Sequence, residues 1–411
     1  MNMHRLFLII PVVLLVTSFA LGTPVRFSDG VESLLVTKNA RIAAKNAVVV
    51  DLATVELWNN SWTLNRIAAF LSGYSEPAEI EYLLGRVPER GLELGGGAVS
   101  SVSMNLGKLY FGMSLRNQEL VSSDRKLLKM ALDGFSMEEI EDLELNLVSG
   151  KTSTFLDIAL GGSIGLPGLA EALGFDELSI TAAGHFLIGL AYAEIDASAR
   201  VSLDQESFLL RGDGYSTTHL AIPSEGAWGI GASLDFSAMA VMNEGLVARL
   251  SFYDLGAIIW SNVKRLEHSI EFEVDPDGLI NEDKEWVNFG ELQEVSYILS
   301  ENITRALSPR LSVDVAYDLL DFLSLGTRLG ISFSNRPTIE LAVGTTLRVI
   351  DILPLSLSLT YRSDVNSILF GISGHLVIGN RIFLGVRIAD FGAIFGSTKH
   401  LGLALSAEYI F

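Results

Sequence analysis

The chain of 411 residues contains no cysteine. That absence excludes disulfide staples, thiolate metal sites and a lipid anchor carried on cysteine. Basic residues are also short. Lys and Arg number 29 against 49 Asp and Glu, a formal charge of −20. So acidic a chain is a poor partner for nucleic acid. Beyond residue 22 there is no run of about 18 apolar residues, so no helix could cross a bilayer. No Gly-x-Ser-x-Gly elbow occurs, and no histidine pair has helical zinc spacing. "GGGAV" near residue 95 lacks the helix and lysine that a phosphate loop requires.

What is present is grease in an unusual arrangement. Hydrophobic residues make up 49% of the chain, and the mean hydropathy is +0.38. An exported chain of this kind has two outlets. It can bury its grease in a soluble β-core, or spread it over the outside of a closed barrel in lipid. The first 22 residues, with Arg5, a long apolar run and Ala20-Leu21-Gly22 at the end, predict a secretory signal peptide. A retained membrane anchor is the alternative.

Alternation in steps of two decides between the outlets. In "RLSVDVAYD" one face carries Leu311, Val313, Val315 and Tyr317. The other carries Arg310, Ser312, Asp314 and Ala316. "LSLGTRLGISF", "TIELAVGTTLRV", "SLSLTYR" and "RIFLGVRIA" repeat the pattern. One face is Leu, Ile and Val; the other is Ser, Thr, Gly and charge. Each run is about ten residues, the length of a tilted membrane strand. Weaker runs at 109–116, 178–184, 194–203, 230–236, 246–253 and 266–274 bring the candidates to roughly 14 to 16. The expectation is an all-β fold: a closed antiparallel transmembrane β-barrel of about 14 strands, within roughly 12 to 16, occupying 95–411.

Helical patterning appears in three places. Residues 23–94 read as a plug or cap, with Ser61 and Ser75 as N-caps and Pro77 in a first turn. An insertion near 124–144 reads as two short helices, and a third pattern lies over "LQEVSYILSENITRAL". The last strand ends on Tyr409 and Phe411, an aromatic ending of the kind that barrel assembly machinery reads. With that end at the periplasmic rim, "GNR" at 379–381 and "IDI" at 350–352 become periplasmic turns. Residues 390–400 and an acidic loop over 275–308 then lie outside the cell. Asp275 and Asp277 could hold calcium there, but the twelve-residue calcium pattern is missing, and a solvated acidic loop is the simpler reading.

The chemistry-bearing set is the inward charge. Arg310, Asp314, Arg328, Glu340, Arg348, Arg362 and Arg387 all fall on lumen faces. In an open pore they would tune passage; in a closed interior they would satisfy one another. Antiparallel registry about 350–352 sets Glu340 opposite Arg362, within reach of an ion pair. Ser373 and His375 share a strand face, but no nucleophile signature accompanies them. No catalytic residue, metal or cofactor is expected.

The layout resembles the long-chain fatty-acid transporter-like outer-membrane barrels and their conjugal-transfer-type relatives. "KNARIAAKNAVVVDLA" stands at the family's Ala-rich position. "LWNNSWTL" stands where an Asn-Pro-Ala motif often lies, although no such tripeptide occurs here. The resemblance implies passage or binding of small hydrophobic molecules through a barrel in the outer membrane of a bacterium. A structural or assembly barrel without transport remains the alternative, and a lipid-modifying enzyme is a third. The expected partners are outer-membrane lipid, the barrel assembly machinery and hydrophobic ligands.

Overall fold

β1 (Asn46–Asn59) both opens and closes the sheet, because it pairs with β2 on one side and with β17 on the other. In the computed structural model the ring holds 14 antiparallel strand positions. The structure describes residues 46–71, 77–132, 142–204, 209–222, 226–242, 245–274, 287–289, 299–334, 337–348, 350, 352–379 and 381–411.

After β1 come helices α1 (Leu64–Leu71) and α2 (Pro77–Arg86), then β2 (Leu92–Leu106), β3 (Leu109–Ser123) and α3 (Arg125–Leu132). Next are β4 (Asp142–Gly165), α4 (Pro167–Leu173), β5 (Glu177–Asp204), β6 (Leu209–Ala221), β7 (Trp228–Met242) and β8 (Leu246–Val274). The ring is completed by β9 (Val287–Phe289), β10 (Leu299–Ala306), β11 (Arg310–Leu320), β12 (Leu323–Ser332), β13 (Thr338–Leu347), β14 (Leu355–Arg362), β15 (Ser367–Ile378), β16 (Ile382–Ile388) and β17 (His400–Ile410). Some segments share a position. β6 and β7 lie end to end along β5, and β9, β10 and β11 along β8.

Outward positions carry exposed apolar side chains all round the ring. Leu52, Val102, Met113, Leu160, Phe186, Ile230, Phe252, Val313, Leu329, Leu341, Leu359, Phe370, Leu384 and Leu405 represent the successive positions. Soluble monomers rarely expose apolar patches beyond a few hundred Å². A continuous belt of this kind matches the lipid-facing band of an outer-membrane-type barrel.

The two rims differ. The Phe411 N–H donates to the Asn46 carbonyl, so both ends of the described barrel share one rim. Connections there are mostly short. The opposite rim holds α1, α2 and α3, whose core is Trp62, Leu83, Leu84, Val87, Leu92 and Leu128. The Trp62 indole donates to the Leu83 carbonyl at 3.0 Å, and the Asn59 side chain accepts from the Ser61 and Trp62 N–H groups at 2.9 and 2.6 Å. "NNSW" is thus a buried corner where β1 turns into the cap. Ser61 donates to Asn60 and does not cap α1; the Thr63 carbonyl accepts the first helical bonds instead. Pro77 opens α2 as expected.

Several expected boundaries are corrected. Among the described residues the barrel already includes 46–59, inside the stretch read as plug or cap, because "NAVVVDLATVELWN" alternates and has partners on both sides. Helices occupy only 64–71 and 77–86 of that stretch among the described residues. The insertion near 124–144 contains α3, but β4 already starts at Asp142. The acidic loop does not reach 308: β9 and β10 pair with β8, and the stretch read as helical over "ITRA" is strand. Pairing on an available edge overrides helical patterning there. The signal peptide, Ser75, the second helix after 133, Asp275 and Asp277 lie outside the described residues.

Candidate functional site

Closing the sheet points alternate residues into one lumen, and the charges there meet in pairs. On β11, Asp314 is fully buried. Arg328 and Arg249 stand directly opposite it on the two flanking strands, at 2.5 and 3.1 Å. Arg310 reaches Asp254 at 3.0 Å, and Arg348 lies 3.9 Å from Asp318. Arg387 stands opposite Ser373 on the inner face. The inner hydroxyls Ser324, Thr346, Ser356 and Ser373 oppose one another on four successive strands, all buried, with Thr346 and Ser356 bonded at 2.7 Å. His375 shares that inner face with Ser373. Tyr409 and Phe411 stack with centroids 6.0 Å apart on the outside, at the rim of the described ends.

The pairing of Glu340 with Arg362 is half right. The two residues are direct cross-strand partners. The guanidinium nevertheless turns away. It contacts Glu56 across the lumen, binds Asp364 through Nε at 3.2 Å and Nη2 at 2.5 Å, and meets His400 at 3.2 Å. Glu56 and Asp364 are almost fully buried, so they outcompete a half-exposed carboxylate for the same cation.

The centre of the lumen holds a network that the sequence reading did not nominate. Arg116 of β3 binds Asp254 of β8 at 2.7 Å and also contacts Asp157 of β4. His185 of β5 lies between Asp157, at 2.8 Å, and Asp235, at 3.2 Å. The Asp235 carboxylate also accepts the Asp254 N–H at 2.8 Å. None of these five residues is more than 7% exposed. Asp254 adopts a left-handed backbone, φ 58°, at the irregularity between β7 and β8. Bulges re-aim side chains in this way, and strained backbone clusters at functional sites. Asp157 and Asp235 could have been found from alternation, since both sit in inward register with Ala159 and Ser233. Asp254 could not, because the bulge switches the face.

β3 and β8 are not neighbours, so the Arg116–Asp254 bond is a chord across the barrel. A cavity of about 570 Å³ lies on its helical-rim side, lined by residues including Trp58, Lys151, Arg310, Glu340 and Arg362. A second, of about 380 Å³, lies on the other side, lined by residues including Val49, Asp51, Tyr110 and His185. Arg116 and Tyr253 line both. An apolar block fills another sector, with Phe155, Leu187, Tyr192, Ile258 and Trp260 buried together. Two tryptophans lie on glycine shelves. A Cβ at Gly95 would come within 2.4 Å of the Trp58 ring, and one at Gly189 within 2.5 Å of Trp260. Gly95 therefore serves as a flat piece of inner wall beneath Trp58.

A family model described as "Family of unknown function (DUF5723)" matches residues 96–380. The chain belongs to the DUF5723 family. That match starts inside β2 and ends beyond β15, so it covers most of the ring of this DUF5723 barrel. No curated protein matches the chain. Several solved structures resemble the chain loosely over most of its length. A Pseudomonas aeruginosa FadL homologue is 10% identical, with 89% of this chain and 90% of that one covered and a TM-score of 0.42. The Ralstonia pickettii toluene transporter TbuX is 11% identical, with 90% of each chain covered and a TM-score of 0.38. The translocator domain of the Neisseria meningitidis autotransporter NalP is 9% identical, with 92% and 94% covered and a TM-score of 0.34. Likenesses this loose carry nothing about cargo.

Proposed function

We propose that the protein is a gated conduit or binder for small, largely hydrophobic molecules in a bacterial outer membrane, reached by secretory export and barrel assembly. The observation that supports this reading is the pair of cavities that meet at Arg116, which bonds Asp254 across the lumen. The barrier between them is side chains on rigid strands, which can part without unfolding the wall. The proposal assigns no catalytic role.

The test is conductance of the full chain in planar bilayers, with solute entry into liposomes alongside. Asp254→Asn removes the charge that holds Arg116 and Arg310. The expected result is a several-fold rise in conductance over the parent chain. A barrel that stays sealed in both forms, and takes up no solute, would overturn the reading. A structural barrel without transport is the second reading. It is favoured by the depth at which Asp314, Asp157 and Arg116 are buried and paired.

A further inference from the structure

Glu340 is one of the lumen carboxylates. It lines the larger cavity, half-exposed, with small neighbours at Gly330, its cross-strand partner, and at Ala342 on its own strand. Its nearest partner by register, Arg362, commits all three guanidinium nitrogens to Asp364, Glu56 and His400. The cavity's other arginines are engaged as well: Arg116 with Asp157 and Asp254, Arg310 with Asp254, and Arg328 with Asp314. Among the described residues Glu340 forms no ion pair; it feels the charge of Arg362 only from across the strands. A carboxylate aimed into a confined, partly apolar space is costly unless a cation joins it.

The same cavity presents an aromatic face. Trp58 lies two residues along β1 from Glu56, the residue that meets Arg362. Gly95 beneath the ring leaves no room for a side chain there, so the indole lies flat against the wall. Tryptophan is the best aromatic partner for a cation. Leu120 and Leu307 add apolar lining.

We infer that the larger cavity is a binding site for a small hydrophobic amine, with its ammonium on Glu340 and its apolar body against Trp58. This inference rests on the conduit reading and adds the charge of the ligand to it.

The probe is benzylammonium, with benzyl alcohol as its neutral counterpart, titrated calorimetrically into the full chain in detergent against a detergent blank. Benzylammonium should bind at least about tenfold more tightly, the scale of a charged hydrogen bond. Glu340→Gln should abolish that preference, and Glu340→Asp should retain part of it. Trp58→Leu should weaken both probes. Glu171→Gln on α4, outside the cavity lining, should change neither. Heat-modifiable migration on gels checks that each variant is folded. If the probes bind equally and both depend on Trp58, the amine inference is overturned and the conduit reading stands. If folded protein binds neither probe, the amine inference is overturned as well, and conductance then decides the conduit reading separately. A preference that survives Glu340→Gln also overturns the inference.

Discussion

Arg116 and Asp254, which lie 138 residues apart in sequence and on strands that do not touch, meet at 2.7 Å in the middle of the lumen. Their bond is a strut as well as a partition. It ties β3 to β8 across the barrel, while Asp157 and Arg310 extend it along both walls. Removing one member leaves the buried charges around it with fewer partners than they need, and that outweighs the loss of the bond itself.

A double-mutant cycle with Arg116→Met and Asp254→Asn should therefore show coupling of about 1–3 kcal/mol, as expected for contacting charges in one network. Each single variant should unfold at lower urea than the parent in lipid vesicles. Strict additivity would mean that the strut contributes nothing to stability.

Glu56 and Glu340 share a cavity but should differ sharply. Glu56 is 2% exposed and is bound by Arg362 and His400. Glu56→Gln should cost about 3 kcal/mol or more, since it takes a buried acidic partner from both Arg362 and His400. Glu340→Gln should be at least as stable as the parent, since it breaks no ion pair and removes a charge confined in the cavity. Equilibrium unfolding of the two variants side by side is the check. Equal losses would contradict the partner assignments.

The cross-strand register of β13 and β14 can be read chemically. Cysteines introduced at Glu340 and Arg362 should cross-link on oxidation, with no background from a chain that has no cysteine. Cysteines at Leu341 and Arg362 should not, because their side chains leave opposite faces of the sheet. Cross-linking of the second pair alone would shift the register by one residue.

The glycine shelves predict graded damage. At Gly189 a methyl group would come within 2.5 Å of Trp260 and 2.8 Å of the Gly229 backbone. At Gly95 the nearest obstacle is the Trp58 ring, which can swing into the cavity. Gly189→Ala should cost about 1–3 kcal/mol, the usual scale of overpacking. Gly95→Ala should cost less and shift tryptophan fluorescence towards a more exposed ring. Thermal unfolding with emission spectra measures both.

Asn262, at φ 56°, is one of three non-glycine residues with a left-handed backbone among the described residues, and it lies at the bulge where the register of β8 with β10 shifts. Asn262→Gly should be tolerated. Asn262→Val should cost about 1–3 kcal/mol, because a β-branched residue fits that region poorly. Indistinguishable melting of the two variants would argue against the bulge.

Local rules carried much of this architecture. A strand period of two assigned inside and outside for β11 to β14, β16 and β17 from the amino-acid sequence, because those strands are short and regular. The same locality placed Glu340 opposite Arg362. Locality failed along β8. There the buried residues run Val247 and Ser251, then Asp254, Ile258 and Trp260, then Val263. The inward face switches parity at Asp254 and again at Asn262, the two left-handed residues, so fixed alternation misassigns every side chain between them. What lay wholly beyond the sequence was who meets whom across the lumen. Arg362 reaches Glu56 over 306 residues, and Arg116 reaches Asp254, only because fourteen strands close into a ring of one particular diameter. Each chord depends on every pairing in that circle. Periodicity could thus say which charges face inward, while closure alone decided which became partners and turned Arg362 from Glu340 to Glu56.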